Sequence, residues 1–370
     1  MIFLVIAIAF SIYYVLFISK ISTGWGQYKK VHYKSQNKQI GISILVPFRN
    51  EEDNLERNWN SIQGHLKSPL DELIYINDHS NDKSIKMLEE FTANQKNVSI
   101  LYLKEGETGK KTALEKGIKK AKNSWVLTTD ADCIYHKNWL LGMKDFVINN
   151  KFRMGIGPVS LSHTDHFFTK FQALEFTGLM TMGAAFLKLG KANTCSGANL
   201  IYHKQSFMDV NGFEGNKEIA SGDDEFLMHK FYLKDSTSVG FVYDSNCIVK
   251  AAATKELRTF FQQRIRWASK GNAYQVKGIR ESQIMVALYI VFFWLCTALG
   301  FNGNLFIQFA AALLFGTKLV FDYLAIQKSV YFFKNESLLP YLPIGVSLQF
   351  IYIPIVGIVS FFKKGNWKGR

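Results

Sequence analysis

Thr128-Thr129-Asp130-Ala131-Asp132 follows the apolar run Trp125-Val126-Leu127. It places two carboxylates at i and i+2, the spacing that puts side chains on one side of an extended chain. At the C-terminal end of a buried strand such a pair points into the crevice where open α/β sheets bind ligands. Paired hard oxygen ligands suit Mg²⁺ or Mn²⁺ held with a diphosphate, with Asp132 as the metal ligand. Alone, the motif is common and reads first as a polar loop after a strand. Three further clusters fall near strand ends: Phe48-Arg49-Asn50-Glu51, Asn77-Asp78 and Gly109-Lys110. Asp78 can accept hydrogen bonds from a base or ribose, and Lys110 can meet a phosphate as a point charge. Taken in order, these clusters read as a nucleoside-diphosphate site.

Ser221-Gly222-Asp223-Asp224-Glu225 packs three carboxylates in succession. A carboxylate crowded by others holds its proton more tightly and can serve as a general base. The same run also suits a solvated helix N-terminus. In Gln263-Arg264-Ile265-Arg266-Trp267, helical spacing places Gln263, Arg266 and Trp267 on one face. That face offers an amide, a guanidinium for a diphosphate and an indole platform for a sugar or lipid. A membrane-interface belt of Arg and Trp is the other reading of that face.

The elements that must position these groups alternate. Strands are expected at Ile42–Val46, Leu73–Ile76, Val98–Leu103 and Trp125–Thr129, with helices near Asp53–His65, Asp82–Asn94 and Lys111–Lys122. This rhythm predicts a parallel, doubly wound α/β sheet. A long apolar-aromatic helix is expected over Phe167–Leu189, another over Asp223–Leu233, and an amphipathic basic-aromatic helix over Glu256–Tyr274.

The surplus of 44 Lys+Arg over 30 Asp+Glu gives a formal charge of +14, which suits an anionic partner. Nucleic acid is not expected, because no recognition motif accompanies the charge. Four scattered cysteines without a Cys-x-x-Cys pair argue against a zinc site or a disulfide framework. Met1–Ile18 lacks a basic leader and a small-x-small cleavage site, so residues 1–19 read as an uncleaved membrane anchor. Lys20, Lys29, Lys30, Lys34 and Lys38 follow it and place the next segment in the cytoplasm. Three more apolar segments, Ile284–Phe301, Leu305–Ile326 and Tyr341–Phe362, precede a basic tail over 363–370. Lys318 and Asp322 are spaced to neutralise each other inside the second segment. Four full crossings would leave the basic tail outside, against the positive-inside rule. Pro343 and Pro354 make the last segment the least regular.

From Ile42 to Tyr274 the chain resembles the inverting family 2 glycosyltransferases of GT-A fold. The resemblance rests on Val46-Pro47-Phe48-Arg49-Asn50-Glu51-Glu52, Asn77-Asp78-His79-Ser80-Asn81-Asp82, Gly109-Lys110-Lys111-Thr112-Ala113-Leu114, Asp130-Ala131-Asp132, Gly222-Asp223-Asp224 and Gln263-x-x-Arg266-Trp267. The last motif marks the membrane-embedded branch of cellulose, chitin and hyaluronan synthases and ceramide-glucosyltransferase-like enzymes. The resemblance implies a Rossmann-like catalytic domain over 40–255, an interfacial helix over 256–280 and about three membrane segments over 284–362. It implies donor binding by Phe48, Glu51, Asp78, Lys110, Asp130, Gln263 and Arg266. Metal is assigned to Asp132, the base to Asp224 or its neighbour Asp223, and an acceptor wall to Trp267. The expected donor is a UDP-sugar. The expected acceptor is a lipid or glycan hydroxyl at the cytoplasmic face of a bacterial membrane, among membrane lipids. A small processive polysaccharide synthase and a non-catalytic nucleotide-sugar-binding subunit are the alternatives. Asn77 and Arg49 stand where the family usually has Asp and Tyr, which bears on the choice of base.

Overall fold

A computed structural model describes residues 1–29, 40–217, 219, 221–270, 274, 276 and 279–362. Lys30, Lys34, Lys38, the basic tail over 363–370 and part of the expected 256–280 segment lie outside these residues. The chain divides into two units. Among the described residues, one comprises 28–29, 40–162 and 190–253, and the other comprises 1–27, 163–189 and those from 254 to 362. The catalytic segment expected over 40–255 is therefore not continuous, because 163–189 joins the helical unit.

The first unit alternates β1 (Ile42–Phe48), α2 (Glu52–Ile62), β2 (Glu72–Asn77), α3 (Ser84–Thr92), β3 (Val98–Tyr102), α4 (Lys110–Lys120) and β4 (Trp125–Thr128), all after the helix α1 (Ile2–Gly26) of the other unit. Then come β5 (Ile134–Tyr135), α5 (Trp139–Asn149), β6 (Met154–Ile156) and β7 (Val159–Ser162). The unit resumes, after α6 (Phe167–Lys188) of the helical unit, with β8 (Leu200–His203), α7 (Lys204–Asp209), α8 (Glu225–Lys234), β9 (Val239–Phe241) and β10 (Val249–Ala252). Every residue of β1 and β2 is buried, as expected of strands covered on both faces. The large sheet runs β3-β2-β1-β4-β8-β6-β9. β1 pairs parallel with β2 and β4, and β2 with β3.

The four strands expected to be parallel are so, and the sheet is extended by β8, which runs antiparallel to both β4 and β6. A four-residue apolar strand carries no direction in its sequence; only the path of the chain into it decides. Chain order reverses between β1 and its two neighbours, which opens a crevice beyond their C-terminal ends. A second sheet, β5-β10-β7, is small.

The helical unit holds α1, α6, α9 (Leu257–Ala268), α10 (Ile279–Gly300), α11 (Leu305–Phe332) and α12 (Leu342–Phe362). Among the described residues, four helical stretches are long and apolar enough to cross a membrane: Ile2–Gly26, Glu281–Gly300, Leu305–Phe332 and Glu336–Ser360. The first continues well past the expected anchor at 1–19. α9 ends at Ala268, short of the expected Tyr274. Tyr14 faces Lys318, and Trp25 packs on Phe332 and Phe333, so α1 and α11 run side by side in the same direction. At Gly24, α1 closely approaches α6: a Cβ there would lie 2.3 Å from the Ala185 carbonyl oxygen. Lys318 Nζ bonds Asp322 Oδ2 at 2.6 Å and the Tyr14 hydroxyl at 3.0 Å, and Tyr14 donates to Asp322. The charge pair thus neutralises itself within one helix and also engages α1.

Candidate active site

The crevice is built from strand ends. β1 leads through Phe48 into Asn50, whose φ of 52° turns the chain sharply. Phe48 itself is a core side chain, 1% exposed and packed edge-on against Tyr75. It reaches the site only through its carbonyl, which accepts the Asp78 backbone N–H at 2.9 Å. Glu51 closes the start of α2: its N–H donates to Ser84 Oγ at 2.8 Å, and its carboxylate accepts from Asn54 at 2.7 Å. Asp78 is fully buried beyond β2, and its Oδ2 accepts the Gly109 N–H at 3.0 Å. Gly109 has φ 94° and ψ 156°, a conformation that side-chain-bearing residues avoid. Asp78 therefore fixes the residue from which α4, and with it Lys110, begins.

Lys110 is the centre of the cluster. Its Nζ lies 2.7 Å from Asp130 Oδ1 and 3.0 Å from Asp223 Oδ2. Burial alone would weaken its proton; the Asp130 and Asp223 carboxylates, with Asp224 behind them, outweigh burial and hold it protonated above its ordinary range. Asp223 shows the converse. Burial alone would raise its pKa, but the charge and hydrogen bond of Lys110, aided by Lys111, bring it below the usual carboxylate range. The raised proton affinity expected of the carboxylate run is thus absent at Asp223, because the nearest charge is a cation. Asp224 is the N-cap of α8. Its Oδ1 accepts the Glu225 N–H at 2.7 Å, and its Oδ2 accepts the Gly197 N–H at 3.0 Å. A Cβ at Gly197 would stand 3.0 Å from Asp223 Oδ2 and 3.4 Å from Lys110 Nζ. The segment at Gly197 therefore lines the same cluster.

Asp130 and Asp132 sit on a turn held from behind. Asn58 of α2, fully buried, donates to the Cys133 carbonyl at 2.9 Å and to the Asp130 carbonyl at 3.4 Å, while accepting from Tyr75 at 2.8 Å. Thr129 donates to the Ala198 carbonyl at 2.8 Å. Burial, then the charges of Asp132 and Asp130, push the Cys133 thiol up, so it is no thiolate ligand. Among the described residues no group of three or more His, Cys, Asp or Glu is arranged as a metal cage. Asp130 and Asp132 are hard oxygen donors of the kind a divalent cation takes.

The structure thus brings together Asp78, Lys110, Asp130, Asp223 and Asp224 around one crevice edge, with Asp132 two residues beyond Asp130. Sequence reasoning missed Asn58 and Gly197, which position those residues. The Gly-Ala-Asn start of the β8 segment is the signal for Gly197; Asn58 is one of three Asn in the amphipathic helix α2, and nothing in the sequence sets it apart. Lys111 was also missed. It is buried on the flank of α4, and its Nζ donates to the carbonyls of Asn216 at 2.5 Å and Ile219 at 2.8 Å, so it ties down the approach to Asp223.

Gln263, Arg266 and Trp267 are partly exposed residues of α9, in the helical unit. Within that unit the Trp267 ring lies 6.0 Å from Phe176 of α6.

Residues 43–210 match the family described as Glycosyl transferase family 2. Over 311 residues the chain is 25% identical to a poly-beta-1,6-N-acetyl-D-glucosamine synthase of Staphylococcus epidermidis, covering 82% of this chain and 73% of that protein. It is 26% identical over 234 residues to the protein of the same name from Staphylococcus aureus strain MSSA476, covering 63% and 55% of the two chains. Among solved structures, the mannosyltransferase PcManGT of Pyrobaculum calidifontis, in complex with GDP-Man and Mn2+, superimposes with a TM-score of 0.58. It shares 15% identity, covering 95% of this chain and 99% of that one, and shows the fold.

Proposed function

Starting from a chain that carries a family 2 glycosyltransferase domain on a GT-A-like fold, we propose an inverting transfer from a UDP-sugar to a hydroxyl of a membrane-held acceptor, lipid-linked or glycan. The observation that carries this reading is the Lys110 ammonium seated between Asp130 and Asp223, beside an Asp224 oriented by two backbone N–H groups. Asp224 takes the proton of the acceptor hydroxyl. The acceptor oxygen forms a bond to C1 of the sugar as the bond from C1 to the diphosphate oxygen breaks, and the electron pair leaves with the nucleoside diphosphate. Lys110 offsets the charge developing there. Asp223, kept ionised by Lys110, holds that lysine in place rather than taking the proton. Asp132, with Asp130 beside it, would hold Mg²⁺ or Mn²⁺, which supplies Lewis-acid stabilisation of the leaving diphosphate. Asp78 is assigned to the nucleoside, Gln263 and Arg266 to the diphosphate, and Trp267 to the acceptor.

The test is UDP release by the full chain in detergent, with a panel of UDP-sugars, Mn²⁺ or Mg²⁺ and membrane lipid extract. Release from one sugar, abolished by chelator and by Asp132→Ala, supports the reading; release that survives both sinks it. Release only from a GDP- or dTDP-sugar would reject UDP and point to Asn77 and Arg49.

A second reading, a small processive polysaccharide synthase, is favoured by the names of the staphylococcal relatives. Radiolabelled product size separates them: one sugar per acceptor, or a long polymer. The membrane helices support placement in a membrane. We place that membrane in a bacterial cell, with the crevice unit on its cytoplasmic side.

A further inference from the structure

Arg264 lies within the Gln263–Trp267 stretch and has no part in the reaction described above. It is 5% exposed. Its guanidinium makes contacts on every side. Nε donates to Glu175 Oε1 and Oε2 of α6 at 3.3 and 3.2 Å, and Nη2 also donates to Oε2. Nη1 donates to the Gln263 side-chain oxygen at 2.5 Å. Two rings lie against it: the central carbon is 4.5 Å from the Phe260 centroid and 4.4 Å from that of Trp267. Tyr352 of α12 donates to the remaining side of Glu175.

Burying a guanidinium and a carboxylate together rarely stabilises a fold more than apolar residues of the same volume would. What the pair supplies is direction. A planar fork anchored along one edge by Glu175 leaves one N–H edge and two flat faces in fixed orientation. The N–H edge takes the oxygen of the Gln263 amide, which leaves the amide NH₂, a donor suited to an anion, as its free end. One flat face takes the Trp267 indole.

We propose that Arg264, anchored by Glu175, is a positioning residue that sets the Gln263 amide and the Trp267 indole in their working orientations. The consequence for turnover rests on the donor and acceptor roles proposed for α9; the orientation itself does not. Lysine cannot replace it, having neither the fork nor the flat face.

The experiment uses the full chain in detergent, with Arg264→Lys, Glu175→Gln and Trp267→Phe made singly and Arg264→Lys combined with Trp267→Phe. The indole's own emission is obtained by subtracting the Trp267→Phe spectrum from that of the wild type. Expected in Arg264→Lys, and more weakly in Glu175→Gln, is a red shift of that emission as the ring loses its cover. Expected in turnover is a fall in kcat/KM of roughly 10- to 100-fold, the scale of a displaced binding group. The Trp267→Phe change should then add little on top of Arg264→Lys. Unchanged emission in both variants, or fully additive losses in the double variant, would overturn the proposal. If the wild type turns over no sugar nucleotide yet the emission shifts, the orienting role stands and the transferase reading fails. If Arg264→Lys does not fold, the Glu175→Gln emission decides.

Discussion

Two ionic clusters, one in each unit, use the same charge chemistry to opposite ends. At the sheet edge, Lys110 is flanked by Asp130 and Asp223, with side chains 17%, 35% and 12% exposed. Among the helices, Arg264 and Glu175 are 5% and 7% exposed. The first cluster keeps a path to water and so to a charged ligand, and its cation is a compact ammonium that can move from one oxygen to another. The second is closed by Phe260, Trp267 and Tyr352, and its cation is a rigid fork. Accessibility and the shape of the cation, not the presence of an ion pair, separate a cluster that can exchange partners from one that holds geometry.

Substitutions should divide along the same line. The largest effect is expected from Asp224→Asn, which keeps the shape but can accept only one of the two backbone N–H groups, from Glu225 or Gly197, and removes the proposed proton acceptor. It should lower kcat by about 10²–10⁴, the range of general-base loss, with a stability cost no larger than one lost capping bond, about 1 kcal/mol. A large loss of stability instead would make Asp224 a helix cap first and a base second. Next comes Glu175→Ala, which strands the buried Arg264 charge and should cost about 3–5 kcal/mol of stability. Denaturant titration in detergent reads it, and a cost below about 1 kcal/mol, as for an exposed pair, would erase the contrast.

Lys111→Ala sharpens the comparison inside the first unit. It takes a charged donor from the carbonyls of Asn216, which keeps the Ile219 N–H, and Ile219, and should cost about 1–3 kcal/mol, with faster hydrogen exchange around Asn216. No change in exchange there would detach Lys111 from the Asp223 segment. The smallest effect is a pH effect away from both clusters. Burial first, then the charges of His136 and Lys67, press His65 down to about 4 from its usual 6.5. The unfolded chain takes up this proton near pH 6.5 while the folded one does not until about 4, so stability declines as pH falls through that window and is unaffected above it. His65→Phe should flatten that decline; an equally steep acid slope in the variant would assign it elsewhere.

Much of this was legible in the chain. β1, β2 and β4 follow from apolar runs closed by polar clusters, and their ends carry the residues that gather at the crevice. α10 and α11 follow from apolar length alone. Other residues sit in settings that neighbours in sequence do not show. Phe48, expected at the donor, has its ring in the core against Tyr75 and its carbonyl on the Asp78 N–H, because a strand's last apolar residue still faces the layer beneath. Asp223 has a depressed rather than a raised pKa, because the sequence shows its carboxylate neighbours but not the lysine that folding brings to it. α9 stops short of the expected length, at Ala268.

Which segments become strands and membrane-length helices is set locally, since periodicity and apolar length are properties of neighbouring residues. The sequence also set the order in which polar clusters meet the strand ends. Tertiary structure decided the direction of β8, the partners of Lys110 and the anchoring of Arg264 by Glu175. Each of these depends on groups far apart in the chain, and a charge or a strand takes its behaviour from whatever folding places within a few ångströms of it.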